Sequence, residues 1–183
     1  MKFGSFDDIC STVTLAFCPL VGDPRLGTEP SCYSRNVEIG GALIFQASTL
    51  IIDIVAVCMT IIMIYHIKTK YTAVGRKEMV LFFYMYLVAI VLDFVLISGI
   101  IPTASVVYPY FTAAYTGIVT AMVWCLLLNG FVGFQFYEDG TALSLWSLRL
   151  SSLLVFAVMY FVSIGTFQNI AGLKTTDPMG LFI

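Results

Sequence analysis

Four stretches of this chain are apolar almost without interruption, and short polar segments separate them. They cover residues 39–65, 79–101, 111–136 and 142–167. Each is longer than the roughly 20 mostly apolar residues a helix needs to cross a bilayer. The only charges inside them are Asp53, Asp93 and Arg149. Lipid offers the backbone no hydrogen-bond partner, so spans of this kind must be helices. A transmembrane barrel needs shorter segments of alternating polarity, which the chain lacks. The pattern predicts an all-α, polytopic transmembrane helix bundle, residues 37–183, behind an N-terminal tail, residues 1–36. The excess length implies tilt, or ends that leave the hydrocarbon. Residues 180–183, "GLFI", read as the start of a fifth span.

The tail has its own pattern. Phe3, Phe6, Cys10, Val13 and Phe17 follow the spacing of one helical face. Ser5 with Asp8 suits a cap, and Pro19 a stop. This predicts a short amphipathic helix on the membrane surface. A signal peptide is the competing reading of apolar residues 13–21. Asp7 and Asp8 stand where such a peptide carries positive charge.

Basic residues orient the bundle. The segment "HIKTKYTAVGRKE" between the first two spans holds Lys68, Lys70, Arg76 and Lys77, whereas "PTASVVYPY" between the second and third holds no charge. The positive-inside rule then makes the first loop cytosolic and the tail lumenal. The turn at residues 137–141 becomes cytosolic as well. Lys2, Arg25 and Arg35 in the tail pull the other way.

Composition agrees with the pattern. Hydrophobic residues are 60% of the chain and charged residues 11%, where a soluble domain has nearly half and about a quarter. A net charge of −2 marks no strong electrostatic partner, and nothing resembles a nucleic-acid site. His66 is the lone histidine, which argues against a zinc or haem site built on histidines. There is no Ser-His-Asp set, no glycine-rich phosphate loop and no clustered cysteine ligands. No metal or cofactor is expected, and no internal repeat with broken helices suggests a transporter.

Cys10, Cys18 and Cys32 all fall in the tail. A lumenal tail is in an oxidising compartment, where disulfides form. On a continuous helix Cys10 and Cys18 stand about 12 Å apart, beyond the roughly 4.4–6.8 Å between Cα atoms that a disulfide tolerates. Cys32 is therefore expected to pair with Cys18 or Cys10, and the turn-rich "GDPRLGTEP" favours Cys18. Three free thiols remain the alternative.

Charge inside a membrane is costly and asks for an account. At 1.5 Å per residue, Asp53 and Asp93 both lie roughly 20 Å above the cytosolic end of their spans. Sharing a level, they suit either an ion pathway or carboxyls hydrogen-bonded to backbone or Gln46. Arg149 and Asn129 both lie about 10 Å deep. Asn129, Gln135, Glu138, Asp139 and Arg149 thus gather near one cytosolic-side level, beside "GFVGFQFYEDG". They read either as a lock between the third and fourth spans or as a docking surface, since polar groups hold neighbouring helices in lipid. Arg149 can also snorkel toward Glu138, Asp139 or lipid phosphate. Ala113, Gly117, Ala121 and Cys125 recur at every fourth position of the third span. Small residues at that spacing let helices approach closely, within the bundle or with a partner.

Several blocks carry a resemblance. "CYSRNVE", "YTAVGRKE", "YPYF" and above all "WCLLLNGFVGFQFYEDGT" with "LRLSS" are similar to the fungal chitin synthase export chaperone family, over almost the whole chain. The resemblance implies a non-enzymatic multi-pass protein of the endoplasmic reticulum membrane with a lumenal N-terminus. It implies as partner a chitin synthase, a polytopic membrane glycosyltransferase, which needs the chaperone to leave the reticulum for cell wall biogenesis. It also implies further spans after the fourth. The other reading, from a different class, is a small transporter or receptor-like bundle using Asp53 and Asp93.

Overall fold

The computed structural model describes residues 9–13, 15–20, 36–39, 42–70, 75–133 and 141–168. Four long helices dominate it: α1 (Ala47–Thr69), α2 (Arg76–Ile97), α3 (Tyr108–Gly133) and α4 (Ala142–Phe167). Each is long and apolar enough to cross a membrane. Their apolar residues face outward as well as inward. Ile51, Ile52 and Tyr65 of α1 remain 63%, 66% and 68% exposed, a surface that water would not tolerate but hydrocarbon would.

The helix limits have local causes. Thr141 caps α4, its Oγ1 accepting from the Ser144 N–H at 3.3 Å, which satisfies one of the first-turn donors. The first span starts later than the apolar run implies. Residues Val37–Ile39 and Ala42–Ile44 form two short antiparallel strands, β1 and β2, with Ile39 opposite Ala42. The two residues between them in sequence, Gly40 and Gly41, lie outside the described residues. Gln46, left-handed at φ 49, then turns the chain into α1, and its N–H donates to Asn36 Oδ1 at 3.1 Å. Gly99 ends α2 at φ 76, and a Cβ there would stand 2.7 Å from Phe45. Both the conformation and the space require glycine.

The helices pack in chain order, α1 on α2, α2 on α3 and α3 on α4, with a smaller contact between α2 and α4. Hydroxyls inside the spans are satisfied locally. Thr112, Thr116 and Thr120 each donate to the carbonyl four residues earlier on α3, at 3.0, 2.9 and 2.9 Å. Thr60 and Thr166 do the same on α1 and α4, at 2.6 and 2.9 Å. Such back-bonding lets a threonine sit in lipid without an exposed polar atom.

The tail departs from expectation. Phe3 and Phe6 lie outside the described residues. Ile9 and Cys10 are helical, but Thr12 and Val13 close a turn onto the Ile9 carbonyl at 3.0 and 2.9 Å. A 3₁₀ turn, Cys18–Leu20, follows. Serine, threonine and valine at residues 11–14 are weak helix formers whose hydroxyls compete for backbone groups. The chain therefore doubles back, and Cys10 and Cys18 form a disulfide with 5.6 Å between their Cα atoms. The expected Cys18–Cys32 pairing is thus corrected. The 12 Å separation assumed a helix that the sequence does not sustain. Cys32 itself lies outside the described residues.

The doubled-back segment covers one end of the bundle. The Tyr108 hydroxyl donates to the Ala16 carbonyl at 2.7 Å. Ala16 and Tyr108 are buried together with Leu96. Phe167, the last residue of α4, packs against the disulfide. This tail end is where α2 and α4 finish and α3 begins. The opposite end carries the basic side chains found among the described residues, Lys68, Lys70, Arg76, Lys77 and Arg149.

Candidate functional site

Among the described residues, polar groups gather at three levels of the bundle. Nearest the tail is a seam across three helices. The carboxyls of Asp53 on α1 and Asp93 on α2 lie close enough to interact electrostatically. The Tyr115 hydroxyl of α3 stands beside the Asp93 carboxyl. Asp53 Oδ2 is buried without a hydrogen-bond partner among the described residues. The shared level was legible in the spacing; Tyr115 was missed, because a tyrosine in an apolar run reads as packing. Gln46 is engaged elsewhere, its Oε1 accepting from Thr49 at 3.5 Å.

The middle level belongs to the α3–α4 interface. Ala113, Ala121 and Cys125 are buried at 0%, 2% and 0% exposure. Gly117 is buried too, and a Cβ there would stand 3.1–3.2 Å from the Phe156 ring and 3.2 Å from the Phe156 carbonyl. The row of small residues brings α4 within backbone distance of α3. At its far end Asn129 Nδ2 donates to Cys125 Sγ at 3.6 Å, and Ser152 of α4 faces the same sulfur.

The third level lies at the basic end. Glu78 is fully buried, and Ser144 Oγ of α4 donates to its Oε1 at 3.2 Å. Nothing in the spacing of the sequence marks Glu78, at the edge of the basic segment, as buried. It occupies the third position of α2, so the helix turns it inward, and a carboxylate there also complements the helix dipole. Arg76 Nη1 donates to the carbonyls of Lys68 and Lys70 at 3.2 and 3.3 Å, closing the end of α1. Lys68 Nζ donates to Tyr84 Oη at 2.6 Å and stands 5.2 Å from that ring's centre.

Of the polar residues expected to converge, Gln135, Glu138 and Asp139 lie outside the described residues. Asn129 and Arg149 are described, and they face different neighbours. Asn129 bonds its own helix, as above. Arg149 lines a cleft of about 260 Å³ with Lys68, Arg76, Lys77, Val80 and Leu145. Depth along the helices placed Arg149 and Asn129 at one level, but depth says nothing about the direction a side chain leaves its helix. No group of three or more metal-ligating side chains occurs among the described residues.

A family model described as chitin synthase export chaperone matches residues 2–183. A chitin synthase export chaperone of Cryptococcus neoformans var. neoformans serotype D is 55% identical over 183 residues, covering 100% of this chain and 50% of that protein. One from Coccidioides immitis is 49% identical over 187 residues, covering 100% and 56%. One from Fusarium oxysporum f. sp. lycopersici is 46% identical over 186 residues, covering 99% and 56%. The chain spans about half the length of these curated relatives. No solved structure matches it. With a match that runs over residues 2–183, the chain belongs to the chitin synthase export chaperone family.

Proposed function

We propose that this chain forms the membrane bundle of a chaperone that binds a chitin synthase and enables its export from the endoplasmic reticulum. The observation that carries this reading is the family match over residues 2–183 on a chain with four membrane-length helices. The role is assembly and escort, not catalysis. A synthase that extrudes a polar polymer must keep polar groups within its spans, and these are costly against lipid. A small bundle with polar seams and closely packed helices can cover them until assembly is complete. The transporter reading based on Asp53 and Asp93 gains no support from the relatives' names.

The location that fits this role is the reticulum membrane, with the N-terminus lumenal. The Cys10–Cys18 disulfide supports an oxidising side for the tail. Lys68, Arg76 and Lys77 at the other end support a cytosolic first loop. The client-docking surface is assigned to Glu138 and Asp139, which follow Gln135 in the sequence between α3 and α4. Purification in mild detergent from a chitin-forming fungus, with partners identified by mass, tests the function. Recovery of a polytopic glycosyltransferase is expected. Its absence, with normal export of chitin synthase in cells lacking this protein, overturns the reading.

A further inference from the structure

The cleft at the basic end has an unusual lining for a membrane protein. Lys68 from the end of α1, Arg76 and Lys77 from the start of α2, and Arg149 from α4 all border it. Its remaining walls are Val80 and Leu145, both apolar. Lys68, Lys77 and Arg149 are exposed. Two of the cations are held in place by the protein itself. Tyr84 fixes Lys68, and the carbonyls of Lys68 and Lys70 fix Arg76. Arg76 and Lys77 also stand in the first turn of α2, where the helix dipole disfavours positive charge and favours an anion.

We propose that this cleft binds the phosphate of an anionic phospholipid headgroup. Three features select that ligand. The cations come from three helices and converge on one small volume, so they favour a compact anion of high charge. Arg149 lies about 10 Å along α4 from its start, and a long arginine at that depth reaches back toward the headgroup layer. The apolar walls lie beside the charges, as the glycerol and first acyl carbons of a lipid require. The site needs no assumption about orientation, because phosphates line both membrane faces. If the basic end is cytosolic, it meets the leaflet richer in anionic lipid. Clusters of Lys and Arg beside transmembrane helices recognise such headgroups by the same physics.

The test uses the whole chain in nanodiscs of phosphatidylcholine containing a minority of phosphatidylinositol 4-phosphate. The protein is then exchanged into neutral detergent, and the lipids it retains are identified by mass. Wild-type protein should retain the phosphoinositide well above its share of the nanodisc. Each neutralised cation should lower that retention about fivefold. Lys68→Gln with Arg149→Gln should abolish the enrichment, while Arg149→Lys should keep most of it. A matching thermal stabilisation by the lipid, present in wild type and lost in the double variant, excludes misfolding as the cause. Inorganic phosphate in excess serves as the second arm and should displace little lipid, since it brings no glycerol or acyl contact. Four outcomes overturn the proposal. The first is retention equal to the nanodisc composition. The second is equal retention in wild type and the double variant. The third is enrichment only in Glu138→Gln/Asp139→Asn, which would assign the cleft to the chain's own acidic residues. The fourth is complete displacement by inorganic phosphate, which would reassign the cleft to a soluble anion.

Discussion

Gly117 leaves no room for a side chain. A Cβ would sit 3.1 Å from one Phe156 ring carbon, with the Phe156 carbonyl at 3.2 Å. A ring can rotate by a few tenths of an ångström; a helix backbone yields less. Gly117→Ala should therefore be mildly destabilising and Gly117→Leu severely so, by about 1–3 kcal/mol or more in overpacking strain. Thermal denaturation in detergent measures both, and equal stability would mean that α3 and α4 do not meet closely there. Tyr108 makes a second single-atom prediction. Tyr108→Phe keeps the ring but removes the donor to the buried Ala16 carbonyl. An unsatisfied buried acceptor costs about 1–3 kcal/mol. The loss should fall on the tail, so limited proteolysis should cut residues 11–20 sooner while the bundle melts almost unchanged. At this scale the sequence revealed which residues were small or charged, and spacing aligned Asp53 with Asp93. It did not reveal azimuth. Glu78 turns into the α2–α4 contact and Arg149 into the basic cleft because of helix rotation, which a mostly apolar span does not encode in its periodicity.

The long helices were the easiest elements to read, because hydrocarbon permits little else for an apolar run of that length. Their ends were harder. The apolar run that starts at residue 39 continues through α1, so the second strand, Ala42–Ile44, was hidden inside the first span; the glycine pair just before it in the sequence, Gly40 and Gly41, was the signal for it. The tail was misread for the opposite reason. Its helical spacing was real, but residues 11–14 cannot hold a helix without outside support, and packing against the bundle end favours the reversed chain. This yields a prediction at the scale of the tail. Non-reducing peptide mapping should link Cys10 to Cys18, and a Cys18–Cys32 peptide would contradict the fold described. In the chain-entropy view, closing so short a loop contributes about 2.5 kcal/mol. Cys18→Ser should accordingly loosen the tail, and it should not change the packing of α3 on α4. The acidic turn allows a comparable separation. Glu138→Ala should leave protein abundance unchanged and lower recovery of the synthase, by about 1 kcal/mol or less if the charge docks the client at a wet interface. If abundance falls as much as recovery, the turn supports the bundle and does not dock the client.

The two ends of the molecule differ chemically, and that difference underlies the orientation proposed for it in a membrane. One end has the disulfide, the buried Tyr108–Ala16 bond and an apolar cavity of about 430 Å³ lined by Leu15, Pro19, Phe45 and Pro102. The other has Lys68, Lys70, Arg76, Lys77 and Arg149. Thiols pair where the compartment is oxidising, and short loops rich in Lys and Arg stay in the cytosol. These two rules concern different residues and different chemistry, yet they assign the same orientation. Each alone is weaker. The tail has its own Lys2, Arg25 and Arg35, and the rule counts positive charges without subtracting the acids. Together they predict that a glycosylation acceptor engineered near Ser5 is modified and one engineered at residues 69–73 is not. The reverse result would put the disulfide in a reducing compartment and the basic cleft in the lumenal leaflet. It would leave the phosphate site physically possible, but it would remove the asymmetry that supplies it with anionic lipid. Modification at both positions would mean that the chain inserts in two orientations, so that the cations at the basic end are too few to outweigh those of the tail.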